Sequence, residues 1–129
     1  MIDFKNVWLP QIIRYAVLIA DDKALRSVWI SGDHSFTSVT SYDELIEQMF
    51  DDLDSEAMWS QHKRELADHI SLQSSIDAFL NALLAADKPF GRKNCTDHAA
   101  LLSSPLWLQV RETAELVVKC ADEAKLTYF

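Results

Sequence analysis

The stretch Ser41-Tyr-Asp-Glu-Leu-Ile-Glu-Gln-Met-Phe-Asp-Asp-Leu-Asp54 decides the fold class, because a helix start signal precedes an apolar stripe at helical spacing. Ser41 and Glu44 have the spacing of a capping box, in which the hydroxyl accepts from an N–H three residues on and the carboxylate reaches back. The apolar residues that follow recur three and four apart, and they are Tyr42, Leu45, Ile46, Met49, Phe50 and Leu53. The stretch therefore predicts a helix with one buried and one polar face.

Similar signals recur along the rest of the chain. They predict further helices over about residues 10–20, 23–30, 55–70, 73–86, 97–102 and 105–125. The expected start signals are Pro10, Asp21 or Asp22, Thr96 and Ser104. The expected inward residues include Ile70 and Leu106. We predict that residues 1–129 form a single all-α domain, a bundle of about six or seven helices.

Composition agrees with this fold class. Only 2 Gly and 3 Pro occur in 129 residues, whereas a sheet-rich fold with many tight turns needs more of both. One alternative stays open near the N-terminus, because the β-branched residues of 15–20 and 24–31 would also suit a hairpin turning at 21–23. The chain shows no repeat and no linker.

The formal net charge of −8 argues against two classes of ligand. Direct nucleic-acid binding needs Lys and Arg to displace counterions from phosphates, and an anionic membrane surface repels an acidic protein. The longest apolar run, residues 15–20, is too short to span a bilayer. Cys95 and Cys120 are typical of reduced thiols in a cytosolic protein, and we expect a cytoplasmic location. Docking to a basic protein remains compatible with the charge.

The sequence lacks residues that known catalytic and metal-binding motifs require. A calcium loop opening at Asp52 would need Gly at its sixth position and Glu at its twelfth, and the chain has Ala57 and Lys63 there. No nucleophile elbow and no glycine-rich phosphate loop occurs. We expect no cofactor, no bound metal and no enzymatic turnover.

A second hypothesis gives the chain an enzymatic role. His62, Glu65 and His69 are spaced to share one side of a helix, and two imidazoles with a carboxylate are a zinc-binding set. They would make the protein a small helical metal-dependent hydrolase. A third hypothesis is a non-enzymatic adaptor that binds an unrelated partner or itself.

The acidic run of residues 42–56 is the most distinctive feature of the sequence. It holds seven carboxylates and neither Lys nor Arg. A solvated helix face usually mixes Glu with Lys or Arg to gain favourable pairs, and Asp51 and Asp52 lie near the negative end of their helix. The run is either a solvated helix face or a docking surface for a basic protein. The expected partner-binding residues are Asp33, Glu44, Glu47, Asp51, Asp52, Asp54, Glu56 and Trp59, with Trp29 as a further aromatic anchor.

Three segments carry a family resemblance. Trp29-Ile-Ser-Gly-Asp33, Thr37-Ser-Val-Thr-Ser-Tyr-Asp-Glu-Leu45 and Phe50-Asp-Asp-Leu-Asp54 resemble the small acidic immunity proteins of bacterial contact-dependent growth inhibition systems. The resemblance is sharpest over residues 29–60, and size and charge match over the whole chain. It implies a cytoplasmic protein that binds and neutralises a cognate toxin domain, in many members a nuclease. That class contains several unrelated folds, so it implies no individual binding residue.

Overall fold

The computed structural model describes residues 2–35, 37–90 and 97–125, with Phe90 described in its backbone alone. These residues contain seven α-helices and no β-strand. The helices are α1 Leu9–Ala20, α2 Asp22–Trp29, α3 Tyr42–Ile46, α4 Ser55–His62, α5 Ile70–Phe90, α6 His98–Leu102 and α7 Pro105–Glu123. The predicted all-α bundle is confirmed, and residues 15–30 form the end of α1 and then α2 instead of the alternative hairpin.

Three short helical segments of other types extend these helices. A π-helical segment, Phe4–Trp8, leads into α1, a second, Glu47–Asp52, continues α3, and a 3₁₀ turn, Lys63–Leu66, continues α4. Helix α1 confirms the predicted helix over residues 10–20, with Pro10 in its first turn, whereas the helical segment that begins at Phe4 was not predicted. Asp3 starts it, since its side chain accepts a hydrogen bond from Asn6 N at 3.1 Å. In this widened turn, the N–H of Trp8 reaches Asp3 O, five residues back, at 2.9 Å.

Helix α7 lies at the centre of the bundle, where it packs along both α5 and α1. Its buried side includes Trp107, Val110, Val117 and Ala121, as its broad apolar arc predicted. Two predicted inward residues are instead exposed: Ile70 by 62% and Leu106 by 39%. Each lies in the first turn of a long helix on its outward side, since Leu72 and Trp107 in the same turns are buried.

The predicted helix starts are mostly found, and the structure decides between neighbouring candidates. Asp21, not Asp22, caps α2, because its Oδ1 accepts from Ala24 N at 3.1 Å. Ser104 caps α7 through a bond from Leu106 N of 3.2 Å. Asp97 caps α6, accepting from Ala100 N at 3.0 Å, whereas the predicted cap Thr96 lies outside the described residues.

The acidic run of residues 42–56 buries its apolar side in the core, as predicted. Tyr42, Leu45, Ile46 and Met49 are buried, while Phe50 and Leu53 are partly buried against the same core. Ser41 Oγ accepts from Glu44 N at 3.1 Å, which is one half of the expected capping box. The Glu44 carboxylate accepts from Gln48 Nε2 at 3.1 Å and so reaches forward along the helix. The Tyr42 hydroxyl donates to Asp87 Oδ1 at 2.7 Å and ties α3 to α5.

Two aromatic clusters fix the ends of this segment. Near its C-terminal end, Phe4, Trp8 and Trp59 stack, with the Trp8 and Trp59 centroids 5.9 Å apart. Near its N-terminal end, Tyr42 packs edge-on against Trp29 and Trp107. Such ring pairs stabilise a fold beyond the area they bury. The outer side of the segment is therefore presented on a firmly packed base.

Candidate functional site: an acidic face beside a groove

The acidic run of residues 42–56 carries six carboxylates outside the core, a set which we call the acidic face. It consists of Glu44, Glu47, Asp51, Asp52, Asp54 and Glu56. Glu44 is half-buried and the other five are exposed. The spacing of the inner apolar stripe predicted the outward placement of Glu44, Glu47 and Asp51, because residues between the stripe positions fall on the opposite side of a helix.

The acidic face has no internal counterion in the part of the chain that the structure describes. The salt bridges there join Asp22 to Arg26 and Arg111, Arg111 to Glu115, and His62 to Glu65. None involves a carboxylate of the acidic face. These charges repel one another across solvent without any compensating ion pair, at a cost of a few tenths of a kcal/mol for each close pair.

Local backbone geometry adds to this cost. The π-helical segment ends at Asp52, so Asp51 and Asp52 lie beside the partially negative carbonyl end of a helix. Asp54 follows in the left-handed region, with φ of +47°, which glycine adopts more easily. Asp54 precedes α4, yet its side chain makes no capping hydrogen bond to that helix. Its carboxylate does not serve the helix start that an aspartate commonly serves.

A hydrogen-bond network connects the acidic face to α1. The Tyr15 hydroxyl donates to Gln48 Oε1 at 2.8 Å, and Gln48 Nε2 donates to Glu44 Oε1 at 3.1 Å. Gln48 Nε2 also lies 3.4 Å from the carbonyl oxygen of Ser38. Partial burial raises the pKa of the Tyr15 hydroxyl above its ordinary value, and the negative charges of Asp52 and Glu44 raise it further. The negative charges of Asp52 and Glu44 therefore contribute to the electrostatic potential at the Tyr15 hydroxyl.

Tyr15 and Gln48 also line a groove of about 400 Å³ between α1, the start of α2 and the loop of residues 37–39. Its apolar lining includes Val17, Leu18 and Val39. Sequence analysis missed this groove, because Tyr15 lies within an apolar run and Gln48 is an ordinary polar-face residue. Only packing of the loop against α1 places these residues on one surface.

Asp33, another predicted binding residue, makes its contacts outside the acidic face. Asp33 is in the exposed loop after α2, where its carboxylate accepts from Ser35 Oγ at 2.6 Å and from Ser35 N at 3.2 Å. These two bonds lower the pKa of the Asp33 carboxyl. Asp33 thus forms a local turn, and the structure supplies no contact that joins it to the acidic face.

The two tryptophans proposed as partner anchors are core residues. Trp59 and Trp29 are each 6% exposed. The Trp59 indole N–H donates to Asp77 Oδ1 at 3.0 Å, and that of Trp29 donates to the carbonyl oxygen of Val39 at 3.0 Å. A partner would reach little of either ring, so we leave both out of the docking surface.

The three residues of the zinc hypothesis do not form a metal site. His62 Nδ1 lies 2.6 Å from Glu65 Oε2, and the His62 ring stacks on Phe4 with centroids 5.3 Å apart. His69 lies beyond the 3₁₀ turn, just before α5. Among the described residues, no group of three or more His, Cys, Asp or Glu side chains is placed to hold a metal ion. Cys95 lies outside the described residues, and Cys120 is buried in α7.

Two further findings bear on the class of protein. No helix in the described ranges is long and apolar enough to cross a membrane. Comparison of the chain with protein-family models, with curated proteins and with solved structures finds no match.

Proposed function

We propose that this chain is a non-enzymatic binding protein whose acidic face docks a basic protein partner. One observation carries the proposal: five carboxylates between residues 47 and 56 are exposed, and none of them takes part in a described salt bridge. Their charges repel one another and the nearby helix end, so folding does not account for them. A cationic partner would turn the same charges into favourable contacts.

The clustered carboxylates of the acidic face would favour fast association with a cationic protein. Clustered charge of one sign accelerates encounter with an oppositely charged protein by about 10- to 1000-fold at low salt. The acidic run is helical and its inner side is packed in the core, so the backbone that bears the carboxylates is ordered before the partner arrives. Such preorganisation lowers the entropy lost on binding.

The sequence resemblance of residues 29–60 narrows the proposed partner to the toxin domain of a bacterial growth-inhibition system. Within that class, a nuclease is the partner whose surface fits best, because a cleft that binds phosphates is lined with Lys and Arg. Carboxylates on a rigid surface would occupy such a cleft in place of phosphates. The chain would then act as an immunity protein that neutralises its cognate toxin.

The test uses the C-terminal domain of a large secreted effector encoded immediately upstream of this chain. Coexpression of the chain should restore growth to cells that produce this domain. Association rates are then measured by stopped-flow at about 0.02 M and about 0.2 M salt, between which the Debye length falls from roughly 20 Å to roughly 7 Å. The variant with Glu47→Ser, Asp51→Ser and Asp54→Ser should associate about tenfold more slowly at low salt and lose most of the salt dependence.

A matched control separates local from overall charge. Asp68, Glu112 and Glu123 are exposed carboxylates outside the acidic face, and their triple replacement by Ser changes net charge by the same amount. The control variant should retain most of the wild-type rate. Equal rates and equal salt slopes for both triple variants would show that the acidic face is only a solvated helix face.

A further inference from the structure

A second groove, of about 450 Å³, lies between the start of α5 and the last turns of α7. Its lining includes two apolar residues, two serines and two residues of opposite charge, namely Ile70, Leu116, Ser71, Ser74, Lys119 and Glu123. We propose that this surface, which we call the serine groove, binds a second copy of the chain in a two-fold symmetric dimer. The inference goes beyond the proposed function, since none of the six carboxylates of the acidic face is among the lining residues.

Two exposed large apolar side chains border the serine groove. Ile70 is 62% exposed at the start of α5, and Leu116 is 46% exposed on α7. Scattered apolar residues are ordinary on protein surfaces, whereas exposed apolar residues gathered at one concave surface with a charged rim are a feature of interaction sites. Association through the serine groove would remove both side chains from water, and this burial favours binding in proportion to the area covered.

The serine groove also has space to receive such side chains. Ser71 and Ser74 present short side chains to it, and the buried Ser75 and Cys120 complete its lining. One surface therefore carries both the projecting apolar side chains and the space that accepts them. An isologous interface requires this property, because the same patch of each subunit must be complementary to itself.

The charged residues of the serine groove are self-complementary as well. Lys119 and Glu123 are exposed one turn apart on α7, and neither takes part in a salt bridge in the described part of the chain. Two-fold symmetry with antiparallel α7 helices places Lys119 of one copy opposite Glu123 of the other, twice in each dimer. A uniformly basic or acidic protein would meet one attractive and one repulsive charge, so a second copy fits better.

The same antiparallel arrangement brings the apolar residues together. Ile70 lies near Glu123 and Ala124, with which it lines an adjoining cavity that Leu116 does not line. Ile70 and Leu116 are therefore at opposite ends of the serine groove. The two-fold rotation exchanges these ends, so Leu116 of one copy faces the end that holds Ile70 of the other.

The experiment is sedimentation equilibrium of the full chain between about 5 and about 500 µM, which brackets the roughly tens-of-micromolar dissociation constant expected of a small interface. Ile70→Ser with Leu116→Ser should weaken dimerisation at least about tenfold. Ile30→Ser with Leu108→Ser is the matched control, because these side chains are 48% and 43% exposed and do not line the serine groove. The control should change the dissociation constant less than about twofold. A monomer at all concentrations, or equal loss in both double variants, would overturn the inference.

An exchange of charges tests the symmetry itself. Lys119→Glu should weaken dimerisation about tenfold, because each dimer would then bring two pairs of carboxylates together. Adding Glu123→Lys restores opposite charges and the wild-type net charge, and should return the dissociation constant to within about threefold of wild type. Lys23→Glu makes the same change in net charge at an exposed position of α2 and should change it less than about twofold in 0.15 M salt. No loss with Lys119→Glu, or no recovery on exchange, would contradict the antiparallel pairing.

The result is distinguishable from failure of the proposed function. At the roughly micromolar concentrations of stopped-flow, a dimer of this affinity is mostly dissociated, so association with a toxin domain is measured on the monomer. A chain that stays monomeric yet protects against the toxin would remove the dimer and keep the acidic face. A dimer without toxin protection would keep the serine groove and remove the immunity role.

Discussion

The carboxylates of α2 and α5 and those of the acidic face show two uses of the same chemical group. Asp22 Oδ2 pairs with Arg26 Nε at 2.9 Å, and Asp22 Oδ1 lies 3.3 Å from Arg111 Nη1. The second contact is an ion pair without hydrogen-bond geometry. In α5, Asp77 accepts from the Trp59 indole and Asp87 accepts from the Tyr42 hydroxyl. Each of these three carboxylates links elements that are distant in sequence, whereas no carboxylate of the acidic face takes part in a described salt bridge.

The comparison distinguishes carboxylates that stabilise the fold from carboxylates that have no partner within it. A carboxylate that meets a fixed donor stabilises the fold by about 1 to 3 kcal/mol when the donor would otherwise lose its partner. An exposed carboxylate without a donor does not stabilise the fold, and like charges near it lower stability slightly. The following predictions test that separation, beginning with the largest effect.

The largest effect is expected at Trp59, which joins Asp77 to the aromatic stack. Trp59→Ala should lower the free energy of unfolding by about 3 to 5 kcal/mol, because it empties a large core volume. Trp59→Phe keeps a ring in the stack but removes the indole donor, and should cost about 1 to 2 kcal/mol. Urea unfolding followed by circular dichroism measures both. If Trp59→Ala leaves stability unchanged and abolishes partner binding, Trp59 is a surface anchor after all.

An intermediate effect is expected at His98, which holds the start of the acidic segment. The backbone N–H of Tyr42 donates to His98 Nε2 at 3.2 Å, so the bond requires the neutral imidazole. Desolvation by Trp29 and its surroundings lowers the pKa of His98 below 6.5, although the nearby charges of Asp43 and Asp97 oppose this. A lowered pKa means that the folded state resists protonation. Stability is therefore full above about pH 6.5 and falls as the pH drops through the folded-state pKa.

The pH effect should amount to about 1 kcal/mol or less, the usual net value of one hydrogen bond. It is measured as the free energy of urea unfolding between pH 7.5 and pH 5. In His98→Gln the slope over this range should flatten, because the titrating group is gone. His34→Gln, which removes an exposed imidazole in the loop after α2, is the matched control and should keep the wild-type slope. Identical slopes in both variants would exclude His98 as the cause.

The smallest effect is expected on the acidic face itself. Replacing Glu47, Asp51 and Asp54 with Ser should leave stability unchanged or raise it by a few tenths of a kcal/mol, since repulsion is relieved and no bond is lost. Asp22→Ser should have the opposite sign and cost about 1 kcal/mol, because Arg26 and Arg111 lose the carboxylate that they share. Thermal unfolding at low salt compares the two. Destabilisation of the triple variant by 1 kcal/mol or more would mean that the acidic face supports the fold.

Much of the fold could be predicted from local sequence. The stripe from Tyr42 to Leu53 and the caps at Ser41, Asp21 and Ser104 were found because their hydrogen bonds and periodicity involve residues at most a few positions apart. The predictions that failed concern residues whose burial or backbone geometry depends on elements distant in sequence. Ile70 and Leu106 fit the apolar pattern of their helices, yet both are exposed while Leu72 and Trp107 in the same first turns are buried. The widened turn before Pro10 depends on the packing of Phe4 and Trp8 into the aromatic stack.

The sequence by itself determined the helical class, the outward placement of the acidic run and the absence of Lys and Arg within it, because helical period and charge are properties of neighbouring residues. Tertiary structure alone decided which carboxylates meet a donor, that Trp29 and Trp59 are buried, and that His62, Glu65 and His69 do not gather into a metal site. It also placed Tyr15 beside Gln48, 33 positions along the chain, and so created the groove. These contacts join elements far apart in sequence, and their geometry follows from how the helices pack.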